Sequence, residues 1–504
     1  MNLIELAEQN YRRFGERISV IFEDREYTNL EMLRFSKKLA NGLKNLDVGP
    51  GDKVVVMLLN CPEVLISYQG ILRAGGIIVP VLFLLGEREI AHILRNSESV
   101  AIITSKDLLD KIDKNRDSID TLRHVIIVED EDIPGTIKFW ELADGSSDED
   151  IPIQIKEDDL AVILYTAGTT GTPKGVMLNH KNLYSNAVSL ASTVDVEPHN
   201  VGLTVLPLSH SYGLTVMNTG YMFENKAVMM RWFDTEETFR LIERYKVTGF
   251  AGVPAMFAMT LNSPEADKYD LSSLKRCGSG SAPLPVEILR GFQERFDCTV
   301  REGYGLSEAA PVVSMHYPDR PQKPGSIGQP IPGVEVKIVD EKDRSVPVGE
   351  TGELLVKGPN VSPGYYRLPE ETAETFRNGW LYTGDMARMD EDGYLYIVER
   401  KKDLIIRGGF NIYPRDVEEV LYEHSAVLDA AVIGVPNPVM GEEVKAFVVL
   451  REGQTASQQD IIDHCQEHLG KYKCPRYVEF IDTMPRNPIG KILRKELRQR
   501  DATQ

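Results

Sequence analysis

Apolar and polar positions change period repeatedly along this chain, and those changes mark out helices and short strands. Residues 28–42 (TNLEMLRFSKKLANG) carry apolar side chains at helical spacing, predicting a helix capped by Asn29 with Met32 and Leu33 inside it. Residues 53–58 (KVVVML) read as an apolar strand, 64–74 as a helix, 76–81 as a strand, 87–96 as a helix and 100–104 as a strand. Helices alternating with short Val/Ile-rich strands predict parallel sheets covered by helices. The acidic run at 146–150 (SSDED) reads as a surface loop, and the alternation resumes at 160–165 (LAVILY).

The texture changes near Gly325. Residues 334–339, 352–356 and 393–397 are short strands set between Gly and Pro turns, the mark of a β-rich subdomain. A break falls at 400–403 inside VERKKDLIIRGGFNIYP. Beyond it come a helix at 415–422, strands at 428–435 and 443–450, and a helix at 458–469. The expected architecture is α/β. A large N-terminal domain spans 1–401, with a β-rich subdomain at about 325–401, and a small α/β C-terminal domain spans 402–504.

Composition removes several classes of function. With 42% hydrophobic and 26% charged residues over 504 positions, disorder, collagen and coiled coil are poor readings. The net charge of −19 (57 basic against 76 acidic residues) speaks against binding nucleic acid through the general field and favours solubility. Five cysteines without a CxxC pair point to a reducing compartment, here read as the cytoplasm. The longest uncharged apolar run, 74–86, contains Pro80 and falls short of the ~20 residues that span a bilayer. No membrane insertion is expected. A homodimer is left open.

The most informative segment is 165–175, YTAGTTGTPKG, which follows a buried-looking strand. Its glycines, Gly168 and Gly171 among them, let the backbone turn and approach an anion. Thr166, Thr169, Thr170 and Thr172 offer hydroxyls to phosphate oxygens, and Lys174 adds a point charge. It is neither a Walker A loop nor a GxGxxG fingerprint.

This loop resembles the signature of the adenylate-forming superfamily: acyl-CoA synthetases, peptide-synthetase adenylation domains and luciferases. Further segments are similar to that family's motifs in order. PLSHSYG puts His210 at the histidine bordering the acyl pocket. SGSAP, with Gly280, Ser281 and Ala282, resembles the adenine-binding turn. In EGYGLSE, with Glu302 and Gly305, the resemblance implies that Tyr304 stacks on adenine, Ser307 offers a hydroxyl to phosphate and Glu308 holds Mg²⁺. YTGD places Asp385 on the ribose hydroxyls, and Arg400 matches an arginine that contacts ribose or phosphate. Lys402 matches the hinge, Gly408 and Gly409 the loop lining the thiol tunnel, and Lys491 in PRNPIGK the catalytic lysine. RAGGIIVPV (73–81) is similar to the family's N-terminal region, so the resemblance covers essentially the whole chain.

The resemblance implies ATP, Mg²⁺ and coenzyme A as partners and a mobile C-terminal domain. It implies attack of a carboxylate on the α-phosphorus of ATP, then transfer of the acyl group to a thiol. The implied pocket segments, 209–217, 250–257, 278–281 and 309–313, are uncharged apart from His210. The pocket residues carried over are His210, Tyr212, Gly213, Val253, Gly278 and Ala309. A dicarboxylate would want a cation there, and an amino acid an anion. The expectation is therefore an apolar monocarboxylic acid, a medium- or long-chain fatty acid, with an aryl or alicyclic acid as runner-up. A stand-alone enzyme loading a carrier protein, and a non-enzymatic or light-emitting relative, are the other readings. A competing signal, His464, Cys465 and His468 in HCQEH, has the i, i+4 spacing of zinc ligands but lacks a third ligand, and an exposed helix is expected.

Overall fold

The structure, a computed structural model, describes residues 1–116, 118–166, 173–195, 200–401, 403–487 and 490–502. Two large sheets build the N-terminal part. In the first, Leu160–Thr166, Ile77–Pro80, Lys53–Met57, Ala101–Thr104 and His124–Ile127 run parallel in that spatial order. Lys174–Asn179 turns back antiparallel on Leu160–Thr166, with Thr166 opposite Lys174. These strands are buried on both faces, which is why they read as unbroken Val/Ile runs.

The second sheet places Thr299–Gly305, Arg276–Ser279, Gly249–Gly252, Val201–Thr204 and Lys226–Met229 side by side and parallel. The strand order reverses at Val201–Thr204, whose neighbours are the next two strands of the chain on opposite sides. Ligands of open α/β sheets gather beyond the carboxyl ends of strands at such a point. His210, Val253, Gly280 and Ser307 all follow strand ends here. Behind the sheet, the rings of Phe250, Phe257, Phe292 and Phe296 pack with centroids 4.6–6.4 Å apart.

The β-rich region is an antiparallel sheet of Glu335–Val339, Gly352–Lys357, Phe376–Arg377, Trp380–Met389 and Leu395–Arg400. Past it, a mixed sheet (Ile405–Arg407, Phe410–Ile412, Val427–Asn437, Gly441–Leu450 and Tyr477–Phe480) carries the helices Pro414–Glu423, Gln458–His468 and Arg494–Ala502.

Two local expectations are corrected. The helix predicted to start at Asn29 is capped by Thr28. Its hydroxyl accepts the Glu31 N–H at 3.1 Å while Glu31 accepts the Thr28 N–H at 2.7 Å, a closed capping box. Asn29 is the first helical residue, and its amide donates to Gly15 O at 2.9 Å. The HCQEH helix is exposed on one face only: Gln466, Glu467 and His468 are exposed, while Ile461 and Cys465 are fully buried. His464 Nε2 lies 3.0 Å from Val420 O, and among the described residues no three His, Cys, Asp or Glu side chains gather as metal ligands. Missing from the pattern reading were the helix Ile4–Phe14 and the strand Ile18–Phe22, which pairs in parallel with Lys226–Met229 far along the chain.

Candidate active site

The nucleotide end is built by strand register. Asp385 and Arg400 stand opposite each other on paired antiparallel strands, and Arg400 Nε comes within 3.1 Å of Asp385 Oδ1. The Tyr304 hydroxyl donates to Asp385 Oδ2 at 2.5 Å. Burial, then the Asp385 carboxylate, pushes the Tyr304 hydroxyl well above the ordinary phenol range, so it stays a donor. Asp385 is only 3% exposed, and two partners already orient both of its oxygens.

Glu308 sits on a single 3₁₀ turn, Ser307–Ala309, just past the strand carrying Tyr304. Its Oε1 accepts the Tyr365 hydroxyl at 2.8 Å. Lys174 Nζ lies 5.5 Å from the Tyr365 ring centroid and 3.9 Å from the Glu371 carboxylate. One carboxylate beside a phosphate-loop lysine fits Mg²⁺, which keeps most of its ligands as water and phosphate oxygens. Tyr365 and Glu371 escaped the sequence reading, since a tyrosine and an acid in a Gly/Pro-rich stretch carry no chemical signature of their own. Of the phosphate loop, Thr166 and Lys174 are placed at the ends of the hairpin. Gly168, Thr169, Thr170, Gly171 and Thr172 lie outside the described residues, as does Lys402.

The SGSAP turn follows Arg276–Ser279. Ser281 takes a left-handed φ of +70°, and the Gly280 N–H donates to Gly252 O at 3.2 Å. Gly280 is needed for space: a Cβ there would come 3.1 Å from the Tyr212 ring. Ala282 continues the turn. Glu302 is buried beneath it, accepting the Leu284 N–H at 3.1 Å with Oε1, while Oε2 has no protein partner. Burial raises its pKa to about 7. Gly305 passes close to the following loop, where a Cβ would stand 2.3 Å from Pro311 O.

His210 caps the helix Ser211–Gly220 in an unusual way. Its Nδ1 accepts the Tyr212 N–H at 3.3 Å, a bond only a neutral ring can accept at that nitrogen. Burial, then the nearby Lys491 ammonium, holds the ring down to about 4. Ser307 Oγ lies 3.5 Å from Ser211 Oγ, joining this helix start to the Glu308 turn. The Lys491 loop arrives from the C-terminal domain. Asn487 Oδ1 accepts the Lys491 N–H and the Asn487 N–H donates to Lys491 O, both at 2.8 Å. Gly490, at φ +79°, approaches so closely that a Cβ would meet Val253 at 3.2 Å and Ala255 at 3.4 Å.

A cavity of about 310 Å³ is lined in part by the helix Ser211–Gly220. Of the six expected pocket residues, Tyr212 and Gly278 line it, together with Val216, Phe250, Ala251 and Cys277. Gly213 instead packs its backbone on Pro207, Val253 meets Gly490, and Ala309 is buried with its carbonyl accepting the Asn360 amide at 2.8 Å. His210 does not line the cavity, and its ring feels the charge of Lys491. The expectation of an uncharged lining is corrected, because Arg17, Asp195, Arg276 and Arg301 reach the cavity from elements outside the four segments. Arg17 is tied to Asn225 O at 2.5 Å and Phe223 O at 3.0 Å, and Arg276 lies 3.8 Å from Asp195.

Gly408 and Gly409, at φ +58° and +84°, form the two-residue turn between Ile405–Arg407 and Phe410–Ile412. The turn lies on the C-terminal domain, and Ile406 and Phe410 beside it are exposed.

Comparison with known proteins agrees with this layout. Residues 7–366 match the family model of the AMP-binding enzyme and 416–491 that of the AMP-binding enzyme C-terminal domain. The long-chain-fatty-acid–CoA ligase of Bacillus subtilis is 40% identical over 96% of this chain and 92% of its own. A feruloyl-CoA synthase of Amycolatopsis is 35% identical over 94% of both chains. MatB of Rhodopseudomonas palustris, 31% identical over 99% of both chains, superposes with a TM-score of 0.92 in its ATP-bound crystal structure and 0.81 in its apo structure. With both of its domains matched and almost its whole length aligned, the chain belongs to the AMP-binding enzyme family.

Proposed function

We propose that this AMP-forming acyl-CoA synthetase activates an apolar carboxylic acid, with medium- or long-chain fatty acids as the preferred class, in the cytoplasm. The observation that carries the reading is a neutral His210, acted on by the Lys491 charge, at the start of the helix whose Tyr212 and Val216 line the cavity with Ala251 and Gly278, while Arg17 there is held by backbone carbonyls and Arg276 lies by Asp195. The similarity to the Bacillus subtilis ligase supports the choice of acid. An aryl acid is the second reading, favoured by the rings of Tyr212 and Phe250 in the lining and by the feruloyl-CoA synthase similarity.

A carboxylate is a poor acyl donor because oxide would have to leave. In the first step the acid's carboxylate oxygen bonds to the α-phosphorus of ATP as the bond to pyrophosphate breaks. Asp385 takes the ribose hydroxyls, with Tyr304 and Arg400 fixing it and Tyr304 presenting its ring to adenine. Thr166, Lys174 and the loop between them hold the outer phosphates. Glu308 is the residue that would hold Mg²⁺, which when bound neutralises phosphate charge. Lys491 stabilises the charge gathering between carboxylate and α-phosphate, and His210, being neutral, does not compete with it. In the second step the thiol of coenzyme A attacks the acyl carbonyl and AMP leaves. We assign 1–401 and 402–504 as the two domains. The second turns about Lys402 between steps, withdrawing Lys491 and bringing Gly408 and Gly409 to the acyl-adenylate.

The test is pyrophosphate–ATP exchange across fatty acids of graded length, cinnamates and benzoates, followed by thioester formation with coenzyme A. Exchange greatest with fatty acids of intermediate or greater length supports the reading. Exchange confined to aryl acids replaces the substrate, and none with any acid overturns the activity.

A further inference from the structure

Two acids flank the hinge position, Glu399 at the end of Leu395–Arg400 and Asp403 just beyond it. Both are buried, at 6% and 8% exposure. Facing them are two arginines one helical turn apart, Arg494 and Arg498, on the helix Arg494–Ala502. That helix begins three residues after Lys491.

The contacts on the two sides of the hinge differ. Arg498 reaches Asp403 at 2.7 Å. Arg494 grips both oxygens of Glu418 at 2.7 and 2.9 Å and touches Val432 O at 3.3 Å, all within the C-terminal domain. The same guanidinium stands 3.8 Å from Glu399, which belongs to the large domain. Glu399 has its other oxygen on its neighbour's backbone, accepting the Arg400 N–H at 2.8 Å. Arg494 is thus preorganised by Glu418 and offers its remaining charge across the hinge. Burial pushes the Glu399 carboxyl up to about 7, Arg494 pulls it back only in part and the Glu418 and Asp403 charges add to the rise, so withdrawing Arg494 removes the main compensation this buried acid has.

We propose that the Arg494–Glu399 pair is a latch holding the C-terminal domain in the orientation that puts Lys491 beside His210. Both are positioning residues for adenylate formation, acting through Lys491 without touching the reacting atoms. The pair's single contact at 3.8 Å is looser than the two-oxygen grip of Arg494 on Glu418 at 2.7 and 2.9 Å, so it is the contact that gives first when the domain turns. The inference rests on the two-orientation reading above and adds to it what sets the balance.

The test is the ratio of two rates in the full-length enzyme: pyrophosphate–ATP exchange with a fatty acid, and thioester formation from supplied acyl-adenylate and coenzyme A. Glu399→Gln removes the cross-hinge charge and leaves the Arg494–Glu418 grip in place. The expected result is a ratio lowered roughly threefold to thirtyfold, with thioester formation unchanged or faster. Arg494→Gln, which cuts the latch from the other side, should lower the ratio in the same direction, and the double variant should add little further. A ratio within threefold of the parent's in Glu399→Gln overturns the latch. If Glu399→Gln melts too early to assay, Arg494→Gln is judged by the same criterion. Lys491→Ala separates this from the underlying reading: loss of exchange alone keeps the two-orientation reading whatever the latch variants do, and equal loss of both steps removes it.

Discussion

The Asp385–Arg400–Tyr304 cluster, proposed above to hold the nucleotide, and the cavity proposed to take the acyl chain are specified differently. In the cluster, Asp385, Arg400 and Tyr304 meet through strand register and short polar contacts, and each offers a group that no apolar residue can replace. The cavity is lined from many elements, and small residues such as Ala251 and Gly278 serve there through what they lack. A site that places charge demands particular groups at particular positions. A site that makes room demands only that atoms be absent, which many residue combinations achieve.

That contrast can be broken or sharpened by experiment. The largest effect is expected from Lys491→Ala, with pyrophosphate exchange falling roughly 10²–10³-fold, the scale of losing one charge-stabilising group in a transition state. Next, Asp385→Asn loses charged acceptors for the ribose and should raise KM for ATP roughly 10–100-fold with a smaller change in kcat. An unchanged KM would place the ribose elsewhere. On the cavity side, Gly278→Val sets its new Cβ about 3.3 Å from the Tyr212 hydroxyl. It should lower kcat/KM for the longest or bulkiest acids by about 10-fold or more while sparing short acids and KM for ATP. A matching loss for ATP would erase the distinction between the two regions.

The smallest effects concern pH. His210 is held down to about 4, so exchange should show no limb near the ordinary histidine value of about 6.5. Glu302 is raised to about 7 against about 4.3 in the unfolded chain. Between those values the native state binds more protons than the unfolded state, so the contribution of Glu302 to stability falls as pH rises through the window. Glu302→Gln removes that slope. Melting followed at about pH 5 and about pH 8 should then differ less than in the parent, by a few degrees. A pH gap that stays the same would assign the slope to another group.

The legibility of the structure follows the same contrast. The parallel strands were visible because burial on both faces leaves unbroken Val/Ile runs, as in Lys53–Met57. The strand Ile18–Phe22 was not, since its partner Lys226–Met229 is some two hundred residues away and the pairing carries no local mark. Thr28 was passed over as a cap although Glu31 three residues on is the partner such a box needs. Tyr365 on Glu308 and Arg494 on Glu399 were invisible for another reason. Each is a commonplace residue that gains its meaning only from what faces it.

By itself the sequence determined the alternation of helix and strand, the order of the chemical motifs and, through them, the kind of reaction, because backbone periodicity and functional groups are local properties of the chain. Tertiary structure decided which charges reach the cavity beside the helix Ser211–Gly220, that Asp385 is already held from two sides, and that the Lys491 loop lies against Val253 and Ala255. Those are meetings between segments distant in sequence, and only the packed chain brings such atoms within range of one another.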